Sequence, residues 1–353
     1  MLDKNKKWLL VFFTIPPVLI LLVVGLVNYV IDPMNIFQHS NKFNNMQSYF
    51  DERKIKSYII SQKKNEYNGL LLGSSRVTYY DTTNIKKYKI FNYAFGSGGP
   101  YEFQYVIDNY RKNNQLDNLI IGIDFMDATL AKKSTYQKEV GKYNQIFEEI
   151  DNSNNLEKFF KNYFLIDMFK NSITNLKRSL TNNPGPKSYN RKNIASVNKV
   201  NERKVINTAA YRSKKLYQLD SYKGHDENLI NILRELKNKN KDANFFVFTT
   251  PLSKPFLDEI MKNDDLSKIY FDWINSLVEI FETVYFTTFY SDIAINYEKY
   301  SKDGDHYYPF VGNELLSYIV DNDKSNKFIN IKDNILEINK KNLETILKKI
   351  RVN

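Results

Sequence analysis

A serine alcohol is a weak nucleophile until a base takes its proton, and that base needs a carboxylate to orient it. This 353-residue sequence has only three histidines, His39, His225 and His306, which narrows the choice of base. His306 stands in Asp303-Gly304-Asp305-His306. An Asp three residues before a His can accept from one ring nitrogen across a single turn, which leaves the other nitrogen to take a serine proton. His39 falls in a polar segment near the N-terminus, and His225 is expected to open a helix beside Asp226. The candidate nucleophiles are the serines of Gly73-Ser74-Ser75-Arg76, directly after a short apolar run. A serine on such a turn points its hydroxyl out of a sheet, and a helix starting next would offer free N–H groups to an oxyanion. The turn Gly96-Ser97-Gly98-Gly99 can add a further backbone N–H, because no side chain blocks close approach there.

These turns need strands to hold them. Apolar runs at residues 69–72, 89–93, 119–123, 245–248 and, more weakly, 284–286 each end in a polar turn. Unbroken apolar strands of this length suit a parallel sheet covered on both faces. Ligands of such sheets bind just beyond the strands' carboxyl ends, where the turns containing Ser75, Gly96 and Asp124 fall. Between the runs, Phe103, Val106, Ile107 and Tyr110 follow helical spacing behind Pro100, and Leu229, Ile232, Leu233 and Leu236 repeat it. A further helix is expected from Phe310 to Val320, after His306. Strands alternating with helices predict a three-layer α/β/α domain with a parallel sheet. No strand is expected at 128–224, a stretch too long for a loop, whose first half reads as helical. Within it, residues 187–215 carry nine Lys or Arg against Glu202 alone. This insertion is read as folding over the sheet's active edge, its basic face either solvated, which is the favoured reading, or cradling an anionic polymer. At the C-terminus, Leu343, Ile346, Leu347 and Ile350 share one helical face expected to pack on the domain.

The N-terminus has a different character. Residues 8–31 contain no charge and are long enough to cross about 30 Å of hydrocarbon. Lys4, Lys6 and Lys7 precede them, which predicts a cytoplasmic N-terminus. The exit, Val27-Asn28-Tyr29-Val30-Ile31-Asp32-Pro33, lacks the small residues of a cleavage site, so an uncleaved anchor is expected. The expected organisation is a cytoplasmic tail (1–7), a transmembrane anchor (8–31), a stalk (32–66) and an extracytoplasmic domain (67–353) with a helical, basic insertion at about 128–224. Without cysteine there are no disulfides or thiolate metal sites. The formal charge of +11 reads best as a solvated basic surface, although part of it suits approach to an anionic wall polymer. No P-loop or dinucleotide fingerprint is present, and no nucleic-acid module. Asp124, Asp127 and Asp305 show no ligand-like spacing. Neither cofactor nor metal nor nucleic acid is expected.

Four blocks in order, Gly73-Ser74-Ser75, Asn92 to Gly98, Gly122-Ile123-Asp124 and Asp303-x-x-His306, resemble those of the SGNH/GDSL hydrolase superfamily. The likeness is nearest to membrane-anchored surface members, such as the alginate O-acetylation and teichoic-acid D-alanine transfer proteins. It covers about 69–124 and 302–320. It implies a flavodoxin-like sheet, Ser75 as nucleophile, His306 as base and Asp303 as its orienting acid. It also implies an oxyanion hole built from the N–H of Ser75 and that of Gly96 or Gly98. Ser74 takes the place of the family's frequent Asp, as in other surface members. Asp124 departs from the pattern, standing where the superfamily has an Asn that donates to the oxyanion; an ionised Asp only accepts. Three roles are open to Asp124: a structural pairing with Arg76, which is favoured, binding of an acceptor hydroxyl, or an impaired site.

The resemblance thus implies a serine-dependent esterase or O-acyltransferase, of O-acetyl or D-alanyl type, acting on a cell-surface polysaccharide or teichoic acid. A polytopic membrane-bound O-acyltransferase is its implied donor-side partner. The alternative is a non-catalytic assembly or polymer-binding subunit of a cell-envelope acylation complex.

Overall fold

The computed structural model describes residues 4–129, 133–217, 225–325 and 329–352. In chain order its helices are α1 (Lys4–Ile31), α2 (Glu52–Ser61), α3 (Pro100–Arg111), α4 (Lys133–Asn152), α5 (Asn155–Tyr163), α6 (Ile166–Thr181), α7 (Glu202–Tyr217), α8 (Glu227–Lys239), α9 (Lys254–Lys262), α10 (Asp264–Phe281), α11 (Asp292–Ile295), α12 (Pro309–Asp321), α13 (Ile331–Asn334) and α14 (Leu343–Val352). The strands are β1 (Gly69–Leu72), β2 (Ile90–Asn92), β3 (Asn118–Ile123), β4 (Ser188–Tyr189), β5 (Ala195–Ser196), β6 (Asn244–Thr249), β7 (Thr283–Phe286) and β8 (Leu336–Asn339). The chain divides into two compact units, one of Met1–Ile59 with Ile146–Ser196, the other of Ile60–Gln145 with Val197–Asn353.

The second unit holds a six-stranded sheet of order β2-β1-β3-β6-β7-β8. All neighbours are parallel except β7 and β8. Every residue of β1 and β3 is buried, and since side chains alternate across a strand, both faces are covered. On one face Leu71 and Ile120, in register, pack with Phe248 against Val311, Leu315 and Ile319 of α12. On the other, Phe286 of β7 meets Tyr270 and Trp273 of α10, ring centroids 5.9 and 6.2 Å apart. The fold is therefore α/β with helices on both sides of a mostly parallel sheet, as the alternation predicts. The antiparallel edge strand β8 was not expected. α14 packs beside it with Ile350 buried and Arg351 4.5 Å over the Phe271 ring.

In the first unit, α1 contains Val11–Ile31, long and apolar enough to cross a membrane. The residues beyond it, read as a stalk, are tied into folded structure. Met46 N–H donates to Ser179 Oγ at 3.0 Å and Ser48 N–H to Asn175 Oδ1 at 2.7 Å, both acceptors on α6. Gln47 and Tyr189 exchange backbone hydrogen bonds of 2.7 Å. Asp32 accepts from the Ile36 N–H at 2.8 Å and pairs with Arg191 at 2.6 Å. The stretch 128–224 is not one insertion. Its 146–196 portion belongs to this unit, whereas α7 belongs with the sheet. It also contains a small antiparallel pair, β4 with β5, where no strand was expected. Its basic residues are not simply a solvated face, because Lys187 pairs with Glu52 at 2.5 Å, Arg191 with Asp32, and Arg212 with two aspartates of the sheet unit.

Candidate active site

β1 runs straight into Gly73-Ser74-Ser75 at the sheet's carboxyl edge, and the turn is tight for a steric reason. A Cβ on Gly73 would lie 2.5 Å from Val77 Cγ2. Asn92, at the end of β2, donates to the Val77 and Tyr80 carbonyls at 3.1 and 2.8 Å and so holds the segment after Ser75. No α-helix begins at Ser75. A single 3₁₀ turn, Val77–Tyr79, follows, and the N–H groups of Arg76 and Val77 turn back onto Ser74 at 3.3 and 3.0 Å, so the helix terminus anticipated for an oxyanion does not form. Of the two glycines considered as oxyanion donors, Gly98 already gives its N–H to the Phe95 carbonyl at 3.0 Å. Ser97 between them has φ +55, a left-handed turn conformation.

His306 lies 231 residues from Ser75 in sequence, and its Nε2 is 2.8 Å from Ser75 Oγ. Its Nδ1 is 2.8 Å from Asp303 Oδ1 and 2.9 Å from Asp305 Oδ1. Ionised carboxylates only accept, so Nδ1 carries the hydrogen and Nε2 is left to accept from the Ser75 hydroxyl. Gly304, at φ +75, makes this double contact possible by folding both flanking carboxylates onto one ring nitrogen. Ser75 is partly exposed, whereas His306, Asp303 and Asp305 are buried.

A charge network backs the ring. Arg76 donates to Asp124 and, at 2.6 Å, to Asp305 Oδ2. Thr250 Oγ1, just beyond β6, donates to the other Asp124 oxygen at 2.7 Å. Arg212, from α7, is 2.9 Å from Asp303 Oδ2 and 3.1 Å from Asp305 Oδ2. Burial by itself pulls the Arg76 pKa down, but the charges of Asp124 and then Asp305 override it and hold the guanidinium well above its ordinary value. Burial likewise pushes the Asp305 carboxyl up, and Arg76, followed by His306, outweighs that to hold it well below the ordinary carboxylate value.

The structure thus brings Ser75, His306, Asp303, Arg76 and Asp124 together at one sheet edge. Asp124 is buried and spent on Arg76 and Thr250, the geometry of the pairing role. His39 Nε2 instead meets the Val30 carbonyl at 3.1 Å, and His225 bridges to Thr129. Asp303, Asp305 and His306 present ligand atoms within 4.8 Å of one another, close enough to share a cation. Their carboxylates already face two guanidiniums, which a cation would have to displace, so the donor set fits a hydrogen-bonded triad better than a metal. A cleft of about 500 Å³ is lined by Tyr101, Gln104, Tyr105 and Ile232, none of which forms a nucleophile–base pair.

Sequence reasoning did not single out Arg212, Thr250 or the contact of Asp305 with the imidazole. Thr250 was visible as the polar end of a strand. Arg212 was hidden in a basic run, with nothing local to distinguish it from its neighbours.

Comparison with known proteins gave no match: no family model fits this chain, and no curated protein or solved structure is significantly similar to it. The SGNH/GDSL likeness rests on the four blocks alone.

Proposed function

We propose that this chain is a membrane-anchored SGNH-type serine esterase or O-acyltransferase that modifies a glycopolymer outside the cell. The observation that carries the reading is Ser75 Oγ at 2.8 Å from His306 Nε2, on a ring whose Nδ1 is 2.8 Å from Asp303. Numbered among themselves, the five parallel strands have the order 2-1-3-4-5, that of flavodoxin-like doubly wound sheets, which supports an SGNH-like domain. Lysines before a 21-residue apolar span support a cytoplasmic N-terminus and an extracytoplasmic domain.

In this reading Ser75 Oγ attacks the carbonyl carbon of an acyl ester or thioester while its proton passes to His306 Nε2. The N–H of Ser75 and that of a glycine in the turn after β2, Gly96 or Gly98, hold the oxyanion. Collapse of the tetrahedral intermediate breaks the bond to the donor alcohol or thiol, which leaves with the proton from His306. A polymer hydroxyl, or water, then gives its proton to His306 and attacks the Ser75 ester, and the proton returns to Ser75 on release. Asp303 orients the imidazole. Asp124, its charge taken up by Arg76 and Thr250, acts as a brace for the turn. The acyl group is O-acetyl or D-alanyl by resemblance, and a membrane-bound O-acyltransferase is the proposed donor-side partner.

A second reading, a non-catalytic polymer-binding or assembly subunit, is favoured only by Asp124, which removes the superfamily's Asn donor. One experiment separates the two. Full-length protein in detergent is treated with a fluorophosphonate probe and para-nitrophenyl acetate, alongside Ser75→Ala and His306→Ala. Labelling and ester cleavage lost in both variants are expected. A folded wild type that neither labels nor cleaves, with or without a membrane-bound acyltransferase added, would sink the enzymatic reading.

A further inference from the structure

Apolar surface in the first unit is not confined to α1. Leu156 and Phe160 on α5, and Leu165 and Ile166 where α6 begins, are 62, 60, 52 and 70% exposed. Isolated exposed leucines are ordinary, but several large apolar side chains gathered at one helix corner call for a partner. The corner is joined directly to α1. A Cβ on Gly25 would lie 2.8 Å from the Phe164 ring, so Phe164 fills the notch that this glycine leaves. Phe160 stacks on Phe164 with centroids 5.5 Å apart, and Asn28 donates to the Tyr163 carbonyl at 2.6 Å.

The level of that contact along α1 identifies the partner. Trp8 and Tyr29 are exposed near the two ends of the helix, and interfacial aromatics mark the edges of a span. Their separation, at 1.5 Å per residue, is about 32 Å, matching a bilayer's hydrocarbon thickness of about 30 Å. Gly25 is one turn inside Tyr29, about 6 Å below the outer aromatic level. Helices that lie in an interface bury their apolar side by about 5–10 Å. Beyond the corner, α6 continues to Asn175 and Ser179, which hold Ser48 and Met46, residues that follow the span. The corner therefore dips, and the rest of α6 rises from it. Asp167 and Lys170, both exposed and paired at 3.0 Å, limit the depth to the headgroup boundary.

We propose that Phe160, Leu165 and Ile166 are a lipid-docking surface, seated among the acyl chains of the outer leaflet beside α1. This rests on α1 being a span. Its consequence is that the first unit is fixed against the membrane at two points and does not hang from a flexible stalk.

The chain has no cysteine, so single-cysteine variants can carry an environment-sensitive fluorophore at one position each. Leu22→Cys, Phe160→Cys, Ile166→Cys and Lys177→Cys replace exposed side chains. The labelled full-length proteins are reconstituted in phosphatidylcholine–phosphatidylglycerol vesicles. Quenching by nitroxide-bearing lipid is compared with quenching by aqueous iodide. Labels at 160 and 166 should lose fluorescence to the lipid quencher as the label at 22 does, while the label at 177 responds to iodide. Lipid quenching at 22 with iodide quenching at 160 and 166 overturns the inference and leaves the span intact. Shielding of 160 and 166 from both quenchers also overturns it, because a protein then covers the corner. Absence of lipid quenching at 22 overturns the span and the inference together.

Discussion

Arg212 of α7 faces Asp303, its Nη1 2.9 Å from Oδ2, and the same guanidinium reaches Asp305 Oδ2 at 3.1 Å. A helix that carries neither Ser75 nor His306 therefore anchors both carboxylates beneath the imidazole. The Arg212 side chain is 36% exposed, so the pairs are screened and contribute under about 1 kcal/mol to stability. Their effect is on position. Arg212→Ala is expected to slow fluorophosphonate labelling about 10- to 100-fold, the scale of small misplacements at a reacting centre, while shifting the melting temperature little. Arg212→Lys should recover only part of the rate, since an ammonium lacks the fork that spans two carboxylates. Equal rates for wild type and Arg212→Ala would remove it from the site.

Two carboxylates share one imidazole nitrogen, so either can orient the ring when the other is lost. Asp303→Asn and Asp305→Asn are each expected to reduce ester cleavage about 10-fold. The double variant should lose far more than the product of the two, approaching the ~10⁴ that follows from a wrongly held imidazole. Multiplicative losses would show that the two act independently.

Asp124→Asn introduces the residue that the SGNH/GDSL pattern has at this place and so tests what Asp124 does. If Asp124 braces Arg76, the variant is destabilised by about 2–3 kcal/mol and gains no activity, because the new amide faces Arg76 and Thr250. Parallel melting and labelling measurements check this. A rise in labelling at unchanged stability would mean that the wild-type Asp impairs the oxyanion hole.

The depressed carboxyl of Asp305 links stability to acid. Its contribution is complete above the unfolded value of about 4 and is lost as pH falls through the lower folded value, because the unfolded chain binds the extra proton first. Melting temperatures followed below about pH 4 should fall more steeply for wild type than for Asp305→Asn. Identical slopes would contradict the assignment.

Gly304 tests the turn that delivers His306. At φ +75 a side chain is strained, and an added Cβ would lie 2.5 Å from both Ala209 Cβ and Ser253 Oγ. Gly304→Ala should cost about 1–3 kcal/mol and displace Asp303 and Asp305 together, so ester cleavage falls more than stability alone explains. A variant with wild-type rate and melting temperature would refute this account.

Much of the architecture was legible because its causes are local. Continuous apolar runs marked β1, β2, β3, β6 and β7; helical spacing marked α3, α8 and α14; an uncharged stretch marked α1. The candidate nucleophile and base could be named because Gly73-Ser74-Ser75 and Asp303-x-x-His306 are compact patterns at strand and helix ends. What needed the tertiary structure was each feature whose cause lies far along the chain. β8 is a four-residue strand whose Leu-Glu-Ile-Asn carries no signal until β7 offers it an edge. The supposed stalk is folded because α6, more than 100 residues later, supplies its hydrogen-bond partners. Arg212 is one cation in a basic run until α7 sets it against Asp303. Periodicity and composition report what a residue needs from its neighbours in sequence. A buried charge also needs its counter-charge, and only the path of the chain decides which residue meets it.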